Sequence, residues 1–356
     1  THGAAIGVGA IQDYILGLHV VVEGGAHYWI ERPSRPTMTP AFADWLGAKH
    51  VRDEDLFLSA VVGFGSFGII HAVMFRAEPL YTLELFSNRY DHAAVMHAAG
   101  TLDLTGLGLP RGTDMPFHFE VVFNPYKRGT GDLGAFVRVL YKNALTGAPP
   151  PPPTTDGQMI LGRDLVGVAG AVSDAVPALV PALLQTEMTS SIPTTAPGTT
   201  LATPGIQFGD SQPTNGGTSI ELAVPLDKAA ATVQAIFTVT SGHVFGAPLA
   251  LRYVRASEAL LAPTCHSPTT CTMEMPGIDS ESARAAHPLI FQALSAAGIP
   301  ATYHWGQQGP FTLSSIVSGY GSSRVDRWLA ARRAFLSPSA RVTFSNLMLD
   351  ACSLSL

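Results

Sequence analysis

Apolar and polar residues alternate over several short stretches of this chain, and the period of each stretch predicts an element. Phe117 to Phe123 (FHFEVVF) and Ala135 to Tyr141 (AFVRVLY) run with period two, which predicts strands. Leu16 to Val22 and His27 to Arg32 are further strand-like runs, joined across Glu23-Gly24-Gly25 as a hairpin. Ser59 to Val62, apolar and bounded by glycine, also reads as strand. Ser219 to Val224 and Pro248 to Val254 add two more. Helical spacing appears over Leu226 to Ile236, over Ser280 to Ala297 with Gly298 as its stop, and over Val325 to Phe335, which Pro338 ends.

The texture changes twice along the chain. Residues 1–78 are rich in glycine and strand-like. Residues 79–320 alternate strands and helices. Residues 321–356 are a helix and a tail. The middle region carries an insert, 145–217, marked by five prolines from Pro149 to Pro153 and a Thr/Pro/Gly-rich stretch from Ser190 to Gly217. Neither stretch predicts a regular element. The apolar segment between them, 164–184, reads as a helix packed on the sheet, or as a lid over an apolar substrate tunnel.

Composition narrows the classes. At 356 residues and 46% hydrophobic, the chain can bury one large core or two smaller ones. A net charge of −6 without basic clusters gives no surface for nucleic acid or anionic lipid. Leu165 to Leu184 is broken by Asp174, Pro177 and Pro181, so no segment makes a clean membrane span. Three cysteines are too few for a disulfide scaffold. Cys265 and Cys271 read as free thiols. A local disulfide between them is the alternative, and only that would point to an oxidising, secreted or periplasmic location. His266 alone lies between them, so no metal site is expected. The chain starts at Thr1 with no Met and no charged n-region, which reads as a removed or cut segment rather than a signal peptide.

The strongest chemical signal is glycine. Thr1-His2-Gly3-Ala4-Ala5-Ile6-Gly7-Val8-Gly9 precedes an apolar strand, and Gly63-Phe64-Gly65-Ser66-Phe67-Gly68-Ile69-Ile70 precedes another. Glycines so spaced let backbone N–H groups approach a phosphate or a flat ring without a Cβ in the way. Neither segment is the dinucleotide fingerprint, because no helix follows where that motif needs one.

Taken in order, these segments resemble the vanillyl-alcohol oxidase family of FAD-linked (PCMH-type) oxidases, nearest to its alditol and aldonolactone oxidases. The shared order is T-H-G, an apolar strand, Asp53-Glu54-Asp55-Leu56-Phe57, then G-x-G-x-F-G-I-I and a strand ending in Glu78-Pro79. Downstream, Arg252-Tyr253-Val254 followed by Ala262-Pro263 resembles the family's E-x-R strand. His304-Trp305-Gly306-Gln307 resembles its H-W-G-K, and Trp328 through Asn346 its closing segment. The resemblance implies an α+β fold: the second half of an FAD-binding domain (1–78), a substrate domain with a large antiparallel sheet covered by helices (79–320), and a C-terminal segment returning to the FAD domain (321–356). It implies FAD contacts at Thr1, His2, Gly3, Ala4, Gly7, Gly63, Gly65, Phe67, Gly68, Ile69 and Ile70, with Trp305 and Asn346.

The same resemblance places the reaction. Arg252 matches the pocket arginine, Glu274 falls near the family's pocket histidine, and His304 with Trp305 would line the flavin. Glu274 is the candidate base for a substrate hydroxyl, and Gln307 a hydrogen-bond donor to the flavin. Two positions depart from the pattern: Ala250 stands for the glutamate and Gln307 for the lysine. Both thin the polar set that would grip a polyol, so a larger, more apolar alcohol, steroid-like, is expected. Glu120 and Arg138 are expected to pair across the sheet. The expected activity is FAD-dependent oxidation of an alcohol by hydride transfer to flavin N5. The family's first FAD subdomain precedes T-H-G, so a second polypeptide supplying it is the expected partner. Two other classes stand beside this reading. One is a hydrolase using Thr1 as an N-terminal nucleophile. The other is a non-catalytic scaffold relative, which the losses at Ala250 and Gln307 would fit.

Overall fold

The computed structural model describes residues 5–150, 174–198, 200–208 and 217–355. The chain forms two compact units, each built from separated segments. The smaller comprises Gly9–Glu78, Ala256–Ser267 and Pro310–Leu356; the larger comprises Thr1–Val8, Pro79–Arg255 and Pro268–Gly309.

The smaller unit is organised by a four-stranded sheet in the order β3-β2-β1-β4. Strand β1 (Ile15–Val21) pairs antiparallel with β2 (His27–Glu31), in the register Gly17 to Glu31. Gly24 and Gly25, at φ +68° and +75°, make the turn between them. Strand β3 (Lys49–Arg52) lies parallel to β2, and β4 (Ile69–Phe75) closes the other edge against β1. Helix α1 (Pro40–Leu46) starts with Thr39 accepting from the Phe42 N–H and stops at Gly47, φ +70°.

Helix α2 (Glu54–Ala60) overturns the strand expected at Ser59–Val62. The Asp53 side chain accepts from the Leu56 N–H, and Glu54 and Asp55 favour the positive end of the helix dipole. Leu56 through Ala60 are all buried. With every side of that stretch covered, its apolar run shows no helical period, and the β-branched Val61 and Val62 lie beyond the helix end.

The larger unit carries an eight-stranded, wholly antiparallel sheet in the order β12-β9-β11-β10-β6-β7-β5-β8. Its strands are β5 (Tyr81–Tyr90), β6 (His118–Phe123), β7 (Ala135–Ala144), β8 (Leu201–Ala202), β9 (Gly217–Pro225), β10 (Leu249–Arg255), β11 (Thr269–Ile278) and β12 (Thr302–Tyr303). One face is apolar: Phe119, Val121, Phe123, Val137, Leu222, Leu251, Tyr253 and Met273 form the main core. Helices α3 (His92–Thr101), α5 (Ala229–Gly242) and α6 (Glu281–Ala296) add Val95, Phe237 and Ile290 to that core. Period two puts the intervening residues on the opposite face. There Val122, Phe136 and Ala250 pack on Leu184 and Met188 of α4 (Val180–Ser191). The described part of the apolar 164–184 segment thus ends in a helix on the sheet, while residues 151–173, and with them 164–173 of that segment, lie outside the described residues.

The stretch from Ser190 to Gly217 does contribute regular structure. Its residues 201–202 form β8 on the edge of β5, Thr195 bridges to Ser87, and Pro204–Gln207 is a single helical turn. The ten-residue β5 leaves an edge open, and these short pieces satisfy part of it.

The chain closes in the smaller unit with α7 (Leu313–Tyr320), α8 (Ser322–Phe335), α9 (Pro338–Thr343) and α10 (Leu347–Ala351). Pro338 does not end α8, which stops at Phe335. It is the first residue of α9, where a missing N–H costs nothing, and Ser337 caps that helix. Among the described residues Cys265, Cys271 and Cys352 are all free, so the alternative of a Cys265–Cys271 disulfide is not realised. No described helix is long and apolar enough to cross a membrane.

Candidate functional site

The polar face of the large sheet gathers charge along one row. Arg252 sits mid-strand on β10, opposite Glu120 of β6 on one side and Thr272 of β11 on the other. Glu120 in turn lies opposite Arg138 of β7, and Glu274 opposite Ala250 of β10. All point the same way because each is an even number of residues from a partnered position. Arg252 donates from Nε to Glu120 Oε1 and from Nη1 to Glu274 Oε2, both at 2.7 Å. Arg138 Nη1 donates to Glu120 Oε2 at 2.9 Å. Ser219 Oγ and Gln307 Nε2 each approach Glu274 Oε1 at 3.4 Å.

The electrostatics follow from this clamp. Burial would push the Glu120 carboxyl up, but Arg252 and Arg138 on either side outweigh it and hold the group at about 2. Burial would also disfavour the Arg252 cation, and Glu120 with Glu274 reverse that, so its guanidinium is held more firmly protonated than usual. The Glu120 side chain is 5% exposed, against 19% for Glu274, 25% for Arg252 and 31% for Arg138, so Glu120 is the buried centre of the row and both ends meet solvent. Neither Arg252 bond uses Nη2.

Three of the four catalytic candidates therefore meet: Arg252, Glu274 and Gln307. His304 lies in the turn after β12, where its backbone N–H donates to Glu221 O at 2.9 Å. Its Nδ1 accepts from the Gly306 N–H at 3.1 Å, so that nitrogen serves its own turn. Trp305 is half-buried in the same turn. Gln307 is expected as a donor to the flavin; here its amide N–H is directed at Glu274, and among the described residues its buried Oε1 has no partner. Turning the amide over would set two acceptors against each other, which fixes its sense. Glu120 is the residue that sequence reasoning undervalued. Its pairing with Arg138 is as expected, but the same carboxylate also holds Arg252. The signal is present in FHFEVVF, where the one carboxylate of a mostly apolar strand must find cations once buried.

In the smaller unit, the glycine loop is shaped by close packing. A Cβ on Gly63 would lie 2.8 Å from the Phe67 ring and 2.9 Å from Ala60 O, and one on Gly68 (φ +115°) 2.6 Å from Val21 O. Gly65 takes φ +71° with open space around it. Phe67 is buried with its ring edge-on to Trp328 at 5.2 Å, so any part it plays in binding falls to its main chain. Ile69 and Ile70 begin the edge strand β4 and are 63% and 49% exposed. Asn346 caps α10 through Oδ1 and donates from Nδ2 to Phe64 O at 3.0 Å, tying the closing segment to this loop. Gly7 lies in the exposed turn between the bridged residues Ala5 and Val8. Thr1, His2, Gly3 and Ala4 lie outside the described residues.

This architecture defines a class: a mixed α+β protein whose large antiparallel sheet turns an apolar face to helices and a charged row the other way. Two solved structures are similar to it in fold. One is a crystal structure of cholesterol oxidase from B. sterolicum, at TM-score 0.59 and 12% identity, covering 96% of this chain and 69% of that one. The other is a solvent-stable cholesterol oxidase, at TM-score 0.58 and 12% identity, covering 97% of this chain and 70% of that one. At such identity the likeness is one of fold. No protein-family model and no curated protein matches the sequence.

Proposed function

We propose that this chain is the larger part of an FAD-dependent oxidoreductase that oxidises an alcohol. The observation that carries this reading is the Arg252 guanidinium held between Glu120 and Glu274, in a fold shared with cholesterol oxidases. FAD, when bound, supplies the hydride acceptor at N5. The smaller unit fits such a group. Gly65 leaves the backbone bare at its positive-φ turn, and among the described residues β4 pairs only with β1, which leaves its outer edge open to a ligand or a further strand.

The protein groups divide the remaining work. Glu274 takes the hydroxyl proton. Among the described residues its Oε1 has two hydrogen-bond contacts, both at 3.4 Å, which makes it the oxygen left for a substrate. Arg252 orients Glu274 and stabilises the charge that grows on the alcohol oxygen as the proton leaves. Glu120, with Arg138 behind it, positions Arg252. Ala250, two residues along the same face from Arg252, joins the apolar group of Val122, Phe136, Leu184 and Met188. Polar chemistry beside apolar side chains favours a hydroxyl on a bulky apolar frame, sterols included, over a polyol. The exposed Ile69, Ile70, Val73 and Phe75 of β4 support a further polypeptide segment over that strand, the second chain of the proposed enzyme.

The test is a visible spectrum of the purified protein with a denaturing gel of the same sample. Flavin absorbance that bleaches without oxygen on adding a sterol, but not a sugar alcohol, is expected, with a second smaller polypeptide in equal amount. A folded protein that neither carries nor binds FAD would overturn the oxidoreductase reading. One flavin-bearing chain with no companion would overturn only its two-chain form.

A further inference from the structure

Three histidines meet on one face of the smaller sheet. His19 lies in β1, His27 opens β2, and His71 lies in the edge strand β4. The register of β1 on β4 runs His19 to Ala72 and then Val20 to Ile70, so His71 is the extra residue of a bulge. Bulges re-aim side chains, and this one brings His71 Nδ1 to 3.1 Å from His19 Nδ1. The other nitrogen of the same ring, His19 Nε2, lies 2.9 Å from His27 Nδ1. His19 is buried, His27 half-buried and His71 exposed.

Proton counting limits what the trio can hold. Each N···N contact accommodates one proton, so both nitrogens of His19 are committed. If His19 donates from Nε2 to His27, its Nδ1 presents a lone pair towards His71. Two imidazole nitrogens at about 2.05 Å from one ion and about 98° apart are ~3.1 Å from each other. That separation matches the His19–His71 contact. A ligating histidine also characteristically donates its second ring N–H to an outer partner, which is the place His27 occupies.

We propose that His19 Nδ1 and His71 Nδ1 form a two-histidine site for a first-row divalent cation, Cu²⁺ or Zn²⁺, with His27 as the outer partner that orients His19. Among the described residues no three His, Cys, Asp or Glu side chains are grouped to hold a metal, so the protein provides two ligands here and water completes the shell. Imidazole ligation selects the later first-row ions, with Cu²⁺ the tightest. Binding displaces the proton held between the two Nδ1 atoms. The neighbouring ionisable groups on this face, Glu31, His50 and Arg52, are bonded to one another and do not compete for the ion.

The experiment is calorimetric titration of the intact protein with Cu²⁺ and with Zn²⁺, alongside His71→Ala, His27→Gln and His97→Ala. His71 is exposed on an edge strand, so its variant is expected to fold. The expected result is one site lost in His71→Ala and weakened about ten-fold in His27→Gln. It should be unchanged in His97→Ala, a surface histidine elsewhere. Spin resonance of the Cu²⁺ complex should show two nitrogen ligands. Equal binding in the parent and in His71→Ala would overturn the proposal, as would a site that disappears in His97→Ala.

Discussion

Arg252 and Glu120 face each other across β10 and β6 with Nε 2.7 Å from Oε1, and the same guanidinium reaches Glu274 at 2.7 Å. One planar cation thus spans two carboxylates on different strands, which an ammonium cannot reproduce. Arg252→Lys is expected to keep the charge, lose one of the two bonds, and slow anaerobic flavin reduction by about 10²-fold. Stopped-flow absorbance checks this. An unchanged reduction rate with a lowered melting temperature would make Arg252 a strut of the sheet rather than part of the chemistry.

Glu31 gives a pH dependence with a definite sign. Its fully buried carboxylate accepts from the Thr37 and Met38 N–H groups, the Thr37 hydroxyl, His50 and Arg52. Burial would push it up, but the Arg52 bond, with those from Thr37 and His50, outweighs burial and holds the carboxyl at about 2 against an ordinary 4.5. A depressed folded pKa means the stabilisation is fully present above about pH 4.5 and is lost as the pH falls towards 2. The loss is expected to approach about 3 kcal/mol. Urea unfolding at pH 7, 4 and 2.5 measures it, and Glu31→Gln should make the slope in that window shallower, with Glu120, also held at about 2, keeping its own share. A slope equally steep in the variant would assign the acid sensitivity to other carboxylates.

What the sequence disclosed and what it withheld divide along physical lines. Phe117–Phe123 and Ala135–Tyr141 announced themselves although both of their faces are covered, because His118, Glu120 and Arg138 interrupt the apolar run at the spacing of a strand. Helix α2 did not, since five consecutive buried residues leave no period and only its cap, Asp53, marked it. Pro338 was read as a stop because proline ends and begins helices with the same chemistry, and only the following residues decide which. Arg252, Glu274 and Gln307 could be named singly, but their convergence depends on strand order, β11-β10-β6-β7, which no local pattern encodes. Glu120 entered the site for the same reason. The histidine trio depends on a one-residue bulge in β4, and nothing in Ile69-Ile70-His71-Ala72 signals it.

Two glycines of one loop should differ measurably. Gly68 has φ +115° and would set a Cβ 2.6 Å from the Val21 carbonyl and 2.8 Å from Val20 Cγ1, whereas Gly65 has φ +71° and open space. Gly65→Ala carries only the left-handed backbone cost, about 1 kcal/mol. Gly68→Ala adds a backbone clash that no side-chain rotation relieves, and overpacking of this kind costs about 1–3 kcal/mol more. Thermal melts of the two variants give the comparison. Equal losses would mean that β1 and the loop shift apart at little cost.

Trp328 backs the glycine loop and sets its stability. It is fully buried, its Nε1 donates to Val62 O at 3.1 Å, and its ring meets Phe67 edge-on and Phe64 at 5.9 Å. Trp328→Phe keeps most of the apolar volume but leaves the Val62 carbonyl without its donor, a cost of about 1–3 kcal/mol. Trp328→Ala also opens a cavity beneath Phe64 and Phe67, and about 3–5 kcal/mol is expected. Both variants leave Arg252, Glu120 and Glu274 untouched, so the sheet chemistry and the loop can be separated. FAD titration followed by flavin fluorescence should show weakened binding in Trp328→Phe, with an unaltered rate of flavin reduction at saturating FAD. Lowered stability with unchanged FAD affinity would remove the glycine loop from the cofactor site, while leaving the proposed roles of Arg252 and Glu274 standing.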